Sequence, residues 1–207
     1  MKINEIFNSI QGEGRYAGTP MLFIRLYGCT RRCSYCDTLY SVEGNNYKNM
    51  RIDSLVSLIR ASKTRHICWT GGEPLLQIEE ILQVMGKTRK HALCFHLETN
   101  GDLIDNIRSS FNLFYYIAIS PKTEGMAKKI RDKGWILGNQ SDIKVVTDLK
   151  KIGKRMIKYA TILMPLTTYN KKEDLEIQKK VWNYCIKNNK RFTPRYQYWI
   201  WGNQKGI

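Results

Sequence analysis

Short apolar, β-branched runs alternate along this chain with segments of helical period. The runs fall at residues 21–27, 66–70, 93–98, 113–120, 142–147, 161–166 and 193–199, and the helical periodicity at 52–61, 77–84, 125–132, 149–159 and 173–188. Apolar strands separated by amphipathic helices are the pattern of a parallel sheet with crossover helices, so the fold class is α/β. In the first helical segment, Leu55, Val56, Leu58 and Ile59 are expected on one face. A closed eight-stranded barrel typically takes about 250 residues. The 207 residues here predict a shortened, incomplete TIM-like barrel, in one domain spanning 1–207. The unusual residues follow the runs: cysteines after the first, Gly71-Gly72-Glu73-Pro74 after the second, Thr99-Asn100-Gly101 after the third and Pro121-Lys122 after the fourth. Such loops share the C-terminal edge of a parallel sheet, where α/β proteins carry their sites.

Composition narrows the class. Apolar residues at 43% and charged residues at 25% are those of a folding chain rather than a disordered or collagenous one. The apolar runs fall far short of the roughly 20 residues needed to span a bilayer, and no apolar leader opens the sequence, so no membrane contact and a cytoplasmic location are expected. The net charge of +16 attracts anions in general. Its lysines are interleaved with acids on helical stretches, and no basic stripe with aromatic platforms marks a nucleic-acid groove, so no direct nucleic-acid contact is expected.

Three of the six cysteines, Cys29, Cys33 and Cys36, form a C-x3-C-x2-C run. Cys68, Cys94 and Cys185 lie scattered in apolar sequence and read as small core residues. Three thiolates on one short loop can converge on an iron–sulfur cluster. A four-iron cluster so held keeps one iron without a protein ligand, free to bind a cofactor. The alternative is a structural zinc knuckle completed by His66, His91 or His96, although zinc sites usually pair two ligand clusters. Metal analysis separates the two.

With Gly72-Glu73-Pro74 added to the cysteine loop, the chain resembles the radical S-adenosylmethionine (SAM) enzymes. That resemblance implies a [4Fe-4S] cluster on Cys29, Cys33 and Cys36, SAM chelated at its open iron, and an incomplete barrel of the radical SAM type. A narrower resemblance rests on Ser9-Ile10-Gln11-Gly12-Glu13-Gly14, Phe23-Ile24-Arg25-Leu26, Cys36-Asp37-Thr38, Glu98-Thr99-Asn100-Gly101, Ser120-Pro121-Lys122 and Trp201-Gly202-Asn203. Together these are similar to the 7-carboxy-7-deazaguanine synthases. Members convert 6-carboxy-5,6,7,8-tetrahydropterin to 7-carboxy-7-deazaguanine with loss of ammonia, in queuosine and deazapurine biosynthesis. The resemblance implies a homodimeric lyase that uses Mg2+ and an electron donor such as flavodoxin. It places Ile10, Gln11, Gly12, Glu13, Arg25, Thr70 and the terminal carboxylate of Ile207 around the substrate. Tyr35, Asp37, Gly72, Glu73, Ser120, Pro121 and Lys122 fall on the SAM side, with the Glu73 carboxylate facing the SAM ammonium and the Thr38 hydroxyl contacting magnesium. Two positions depart from that pattern: Tyr196-Gln197 stands where leucine–histidine is common, and Met164 where a glutamine is common. A glycyl-radical activase, which shares the small size and the cysteine loop, is the competing enzyme class. A zinc module binding RNA through the positive charge is the competing non-enzymatic reading.

Overall fold

The computed structural model describes residues 1–134, 140–204 and 206. The chain opens with β1 (Lys2–Ile10), antiparallel to β2 (Pro20–Leu26), with Ile6 opposite Ile24 and Phe7 opposite Phe23. A two-residue strand, β3 (Lys48–Asn49), lies on the outer side of β1. From β2 the sheet grows by parallel addition in chain order, through β4 (His66–Gly71), β5 (Cys94–Thr99), β6 (Tyr116–Ile119), β7 (Ser141–Thr147), β8 (Ile162–Pro165) and β9 (Arg191–Phe192). The nine-stranded sheet has the order β3-β1-β2-β4-β5-β6-β7-β8-β9. Among the described residues nothing pairs β9 back to β3, so the sheet is open and the architecture is the incomplete α/β barrel expected.

Helices α1 (Ile52–Ala61), α2 (Ile78–Thr88), α3 (Glu124–Asp132) and α4 (Lys171–Lys187) cover one face of the sheet, and α5 (Tyr196–Trp201) follows β9. Side-chain caps start α3 and α4: Thr123 accepts from Met126 N, and Asn170 from both Lys172 N and Glu173 N. In α1 the periodic stripe is narrower than expected, since Leu55, Val56 and Ile59 are buried while Leu58 is exposed.

Side chains alternate across each strand. Ile24, Leu26, Ile67, Trp69, Leu97, Ile117, Ile143 and Val145 all join one apolar cluster with Ile59, Ile81, Ala127, Ile130 and Val181 of the helices. The alternate positions point inward. Low on the strands they hold a second small cluster, Met21, Phe23 and Cys68 with Phe7 and Tyr16 packed against it. Towards the strand ends they become Arg25, Thr70, Glu98 and Lys144. Cys68 and Cys185 are buried and Cys94 partly so.

Three segments differ from expectation. Strand β1 was not foreseen, because its half-exposed residues interleave Asn4, Glu5 and Asn8 with the apolar ones. Residues 149–159 do not form an α-helix; only a 3-10 stretch, Lys154–Tyr159, follows Gly153, which sits at φ +68 where a Cβ would meet Val146 O at 2.1 Å. Residues 193–199 are not a strand. Ladder pairing ends at Phe192, Pro194 has no N–H to continue it, and the aromatic stretch coils into α5.

Candidate active site

The cysteine loop leaves β2 through Gly28 and is gripped by the loop that leaves β4. Gly71 N–H belongs to a residue at φ +125 whose Cβ would lie 2.2 Å from Leu26 O, and a Cβ on Gly72 would lie 1.9 Å from Gly28 O. Lacking side chains, the two glycines let Gly72 N donate to Leu26 O (3.1 Å) and Glu73 N to Gly28 O (2.7 Å). Their permissiveness lets two backbones meet, and both glycines also line the cavity. The Glu73 side chain is fully buried beneath the cavity-lining residues Gly72, Thr99 and Asn100. Its Oε1 accepts from Thr99 Oγ1 (2.7 Å) and Leu75 N (3.1 Å), and its Oε2 from Asn100 N (2.7 Å). Burial pushes its pKa up against the pull of these bonds. Asn100 in turn donates through Nδ2 to Thr30 Oγ1 (2.9 Å) and reaches Cys29 Sγ at 3.7 Å. Arg31 grips Asp102 with two bonds of 2.6 Å. The loops after β2, β4 and β5 are thus fastened together around the thiols.

Above the inner face lies a cavity of about 300 Å³, at the small end of the range for ligand pockets. Cys29, Cys33 and Cys36 line it, together with Tyr35, Asp37, Thr38, Gly72, Ser120 and Lys122. Lys122 Nζ stands 5.7 Å over the Tyr35 ring. On the other side are Ile10, Gln11, Gly12, Glu13, Arg25 and Thr70. Pro121 is not on the wall, and Ile207 lies outside the described residues. Arg25 both lines the cavity and holds a resident partner, donating from Nε to Glu5 Oε2 at 2.9 Å, with Phe7 and Tyr40 rings beside its guanidinium.

The cavity floor is an ionic chain that the sequence reading missed. Lys144 Nζ, almost wholly buried on β7, donates to Glu13 Oε2 (2.7 Å) and Glu98 Oε2 (2.9 Å), and Gln11 Nε2 donates to Glu98 Oε1 (3.2 Å). Arg195 Nε donates to Glu13 Oε1 at 3.3 Å and the same guanidinium reaches Asp37. Gln197 Nε2 also donates to Glu13 Oε1, at 2.8 Å, while its own buried Oε1 has no partner among the described residues. Burial alone would raise the Glu13 pKa, but Lys144 and Arg195 outweigh it and hold the carboxyl at about 2. Burial likewise disfavours the Lys144 ammonium, yet the two carboxylates carry its pKa well above the ordinary value. Glu98 is shifted the other way, upward, by burial. Glu13 is therefore a fixed anion and an acceptor only. The signal for Lys144 was available: Asp142 and Lys144 alternate with Ile143 and Val145 in an otherwise buried strand.

Comparison with known proteins agrees with this geometry. The radical SAM superfamily model matches residues 23–177. The 7-carboxy-7-deazaguanine synthase of Thermoplasma acidophilum is 38% identical over 153 residues, covering 70% of this chain and 69% of that protein. The synthase of Hyperthermus butylicus is 30% identical over 214 residues, covering 94% of this chain and 90% of its own length. The chain belongs to the 7-carboxy-7-deazaguanine synthase family of radical SAM proteins. A crystal structure of QueE from Escherichia coli has a TM-score of 0.62 at 21% identity, covering 93% of this chain and 92% of that one. That likeness shows the fold of this family member and no more.

The donor set of this synthase-family chain suits a cluster better than a lone ion. Among the described residues, no three His, Cys, Asp or Glu side chains converge as ligands of a single metal ion. Soft thiolates presented from one loop to a shared cavity fit an iron–sulfur cluster, which takes each outer ligand on a separate iron. Arg31 N donates to Cys29 Sγ at 3.4 Å.

Proposed function

We propose that this chain converts 6-carboxy-5,6,7,8-tetrahydropterin to 7-carboxy-7-deazaguanine with loss of ammonia, a carbon–nitrogen lyase reaction serving queuosine and related 7-deazapurines. The observation that carries this reading is one cavity lined both by the three cysteine thiols and by the Glu13–Lys144–Glu98 ionic chain. When bound, a [4Fe-4S] cluster and SAM supply one-electron cleavage chemistry that no side chain provides. Cys29, Cys33 and Cys36 hold the cluster, and Tyr35, Asp37, Gly72, Ser120 and Lys122 border SAM. Pro121 shapes that border from behind the wall, and Glu73 acts from below by holding Thr99 and Asn100.

On the substrate side, the Glu13 carboxylate, the Gln11 amide and the unpartnered Gln197 Oε1 are acceptors for the N–H groups along the pterin edge. Backbone at Ile10 and Gly12 frames that edge. Arg25, with Thr70 beside it, meets the substrate carboxylate through its planar fork. The Thr38 hydroxyl is a hard oxygen donor for Mg2+, with the substrate carboxylate supplying another. Residues 1–207 act as one radical SAM domain in the cytoplasm, as a homodimer reduced by a flavodoxin-type donor, with no role for nucleic acid or membrane. Among the described residues no helix is long and apolar enough to cross a membrane.

The test is anaerobic incubation of cluster-reconstituted protein with the carboxytetrahydropterin, SAM, Mg2+ and reductant. Deazaguanine product by mass spectrometry is expected. Protein that carries iron and sulfide and cleaves SAM reductively, yet forms no deazaguanine, would reject the substrate.

A further inference from the structure

We infer that Arg195 is a positioning residue that registers the substrate-side carboxylate of Glu13 with the cysteine loop through Asp37. The inference rests on the reading above, in which one side of the cavity takes the pterin and the other the sulfonium cofactor.

Arg195 sits between β9 and α5, and its backbone is pinned on both flanks. Thr193 N donates to Leu163 O at 3.0 Å, Gly14 N donates to Thr193 Oγ1 at 2.6 Å, and Tyr196 N donates to Gly12 O at 3.1 Å. On the far side, Tyr198 OH donates to Asp174 Oδ2 at 2.9 Å. The start of α5 lies so close to the turn at 11–13 that a Cβ on Gly12 would overlap Gln197 Oε1, 1.7 Å away. The base of the Arg195 side chain is therefore fixed relative to Glu13 before any ligand enters.

From that base the guanidinium, 12% exposed, pairs with Glu13 and Asp37 together. Asp37 directly follows Cys36. One rigid fork thus joins the carboxylate that faces the substrate to the loop that carries the thiols. A simple scaffold role fits less well. Glu13 keeps Lys144 and Gln197 when Arg195 is removed, so the floor survives, and what is lost is the link between the two halves of the cavity. Small misplacement of reacting groups can lower rate by about 100-fold, so the effect belongs in turnover and coupling.

The experiment compares wild-type protein with Arg195→Gln, Arg195→Lys, Asp37→Asn and the Arg195→Gln/Asp37→Asn double variant, each reconstituted anaerobically. Arg195→Gln is expected to lower kcat for deazaguanine by about 10- to 100-fold, with a smaller change in KM and more 5′-deoxyadenosine released per product. The electron paramagnetic resonance signal of the reduced cluster with SAM and substrate bound should change shape in that variant. Arg195→Lys, which keeps the charge and loses the fork, should recover only part of the rate. The double variant should be no worse than Arg195→Gln alone. Unchanged kcat, product ratio and resonance signal in Arg195→Gln would overturn the inference, as would full additivity with Asp37→Asn. Wild-type protein that makes no deazaguanine fails the functional reading instead, and is told apart by that control.

Discussion

The two faces of the same strands are held by different physics. On the helix side, Ile24, Trp69, Leu97, Ile117 and Val145 are completely buried in one apolar cluster, stabilised roughly in proportion to the area removed from water. On the inner side, Lys144 is buried between two half-buried carboxylates, Glu13 and Glu98, and its ammonium is tolerable there because both neighbours carry the opposite charge. One face is indifferent to which apolar group fills a gap. The other is a set of mutual dependencies, and it is the face that carries chemistry.

Substitutions sharpen that contrast. Trp69→Ala on the helix side is expected to lower the unfolding free energy by about 3–5 kcal/mol, equally at pH 6 and pH 8, in urea melts. A loss below about 1 kcal/mol would mean that the apolar face is not the core described. Lys144→Met on the inner side is expected to cost about 3 kcal/mol at pH 8, because Glu13 and Glu98 are left as half-buried anions without their shared cation. That deficit should shrink towards pH 5. Glu98, which burial already shifts upward, loses the cation that opposed that shift, whereas Glu13 keeps Arg195, so the penalty is present above the raised Glu98 value and fades as that carboxyl binds its proton below it. A deficit that is the same at both pH values would break the distinction between the faces. Smaller again, Gly72→Ala should cost about 1–3 kcal/mol through overpacking against Gly28, and should reduce iron bound per chain after reconstitution more than its stability loss explains.

Much of this was legible in the sequence, and the limits have physical causes. Strands β2 and β4 to β8 were readable from their apolar runs and the cysteine loop from its local spacing, whereas Gln11-Gly12-Glu13 was legible only through the family resemblance. Strand β1 escaped because a half-exposed strand mixes polar residues into its alternation. Residues 193–199 looked extended because their aromatic content suits strands, whereas Pro194 and docking on the turn at 11–13 decide the conformation. The pairing of Lys144 and Arg195 escaped for a different reason. Local alternation marks Lys144 as inward-facing, but the partners lie far along the chain, 131 residues from Lys144 to Glu13 and 182 from Arg195 to Glu13, so no local pattern names them. The resident partners of the Glu73 carboxylate, Leu75, Thr99 and Asn100, were likewise invisible in its local motif.

Both outer strands of the nine-stranded sheet, β3 and β9, are only two residues long. An open sheet ordinarily exposes rows of unpaired amide and carbonyl groups that recruit other chains into aggregates. Here β3 covers only Lys2 and Ile3 of the nine-residue β1, and β9 only Ile162 and Leu163 of β8. The outer rim of β1 beyond Ile3 therefore has no strand beside it among the described residues, and that rim is where a further extended segment would add to the sheet.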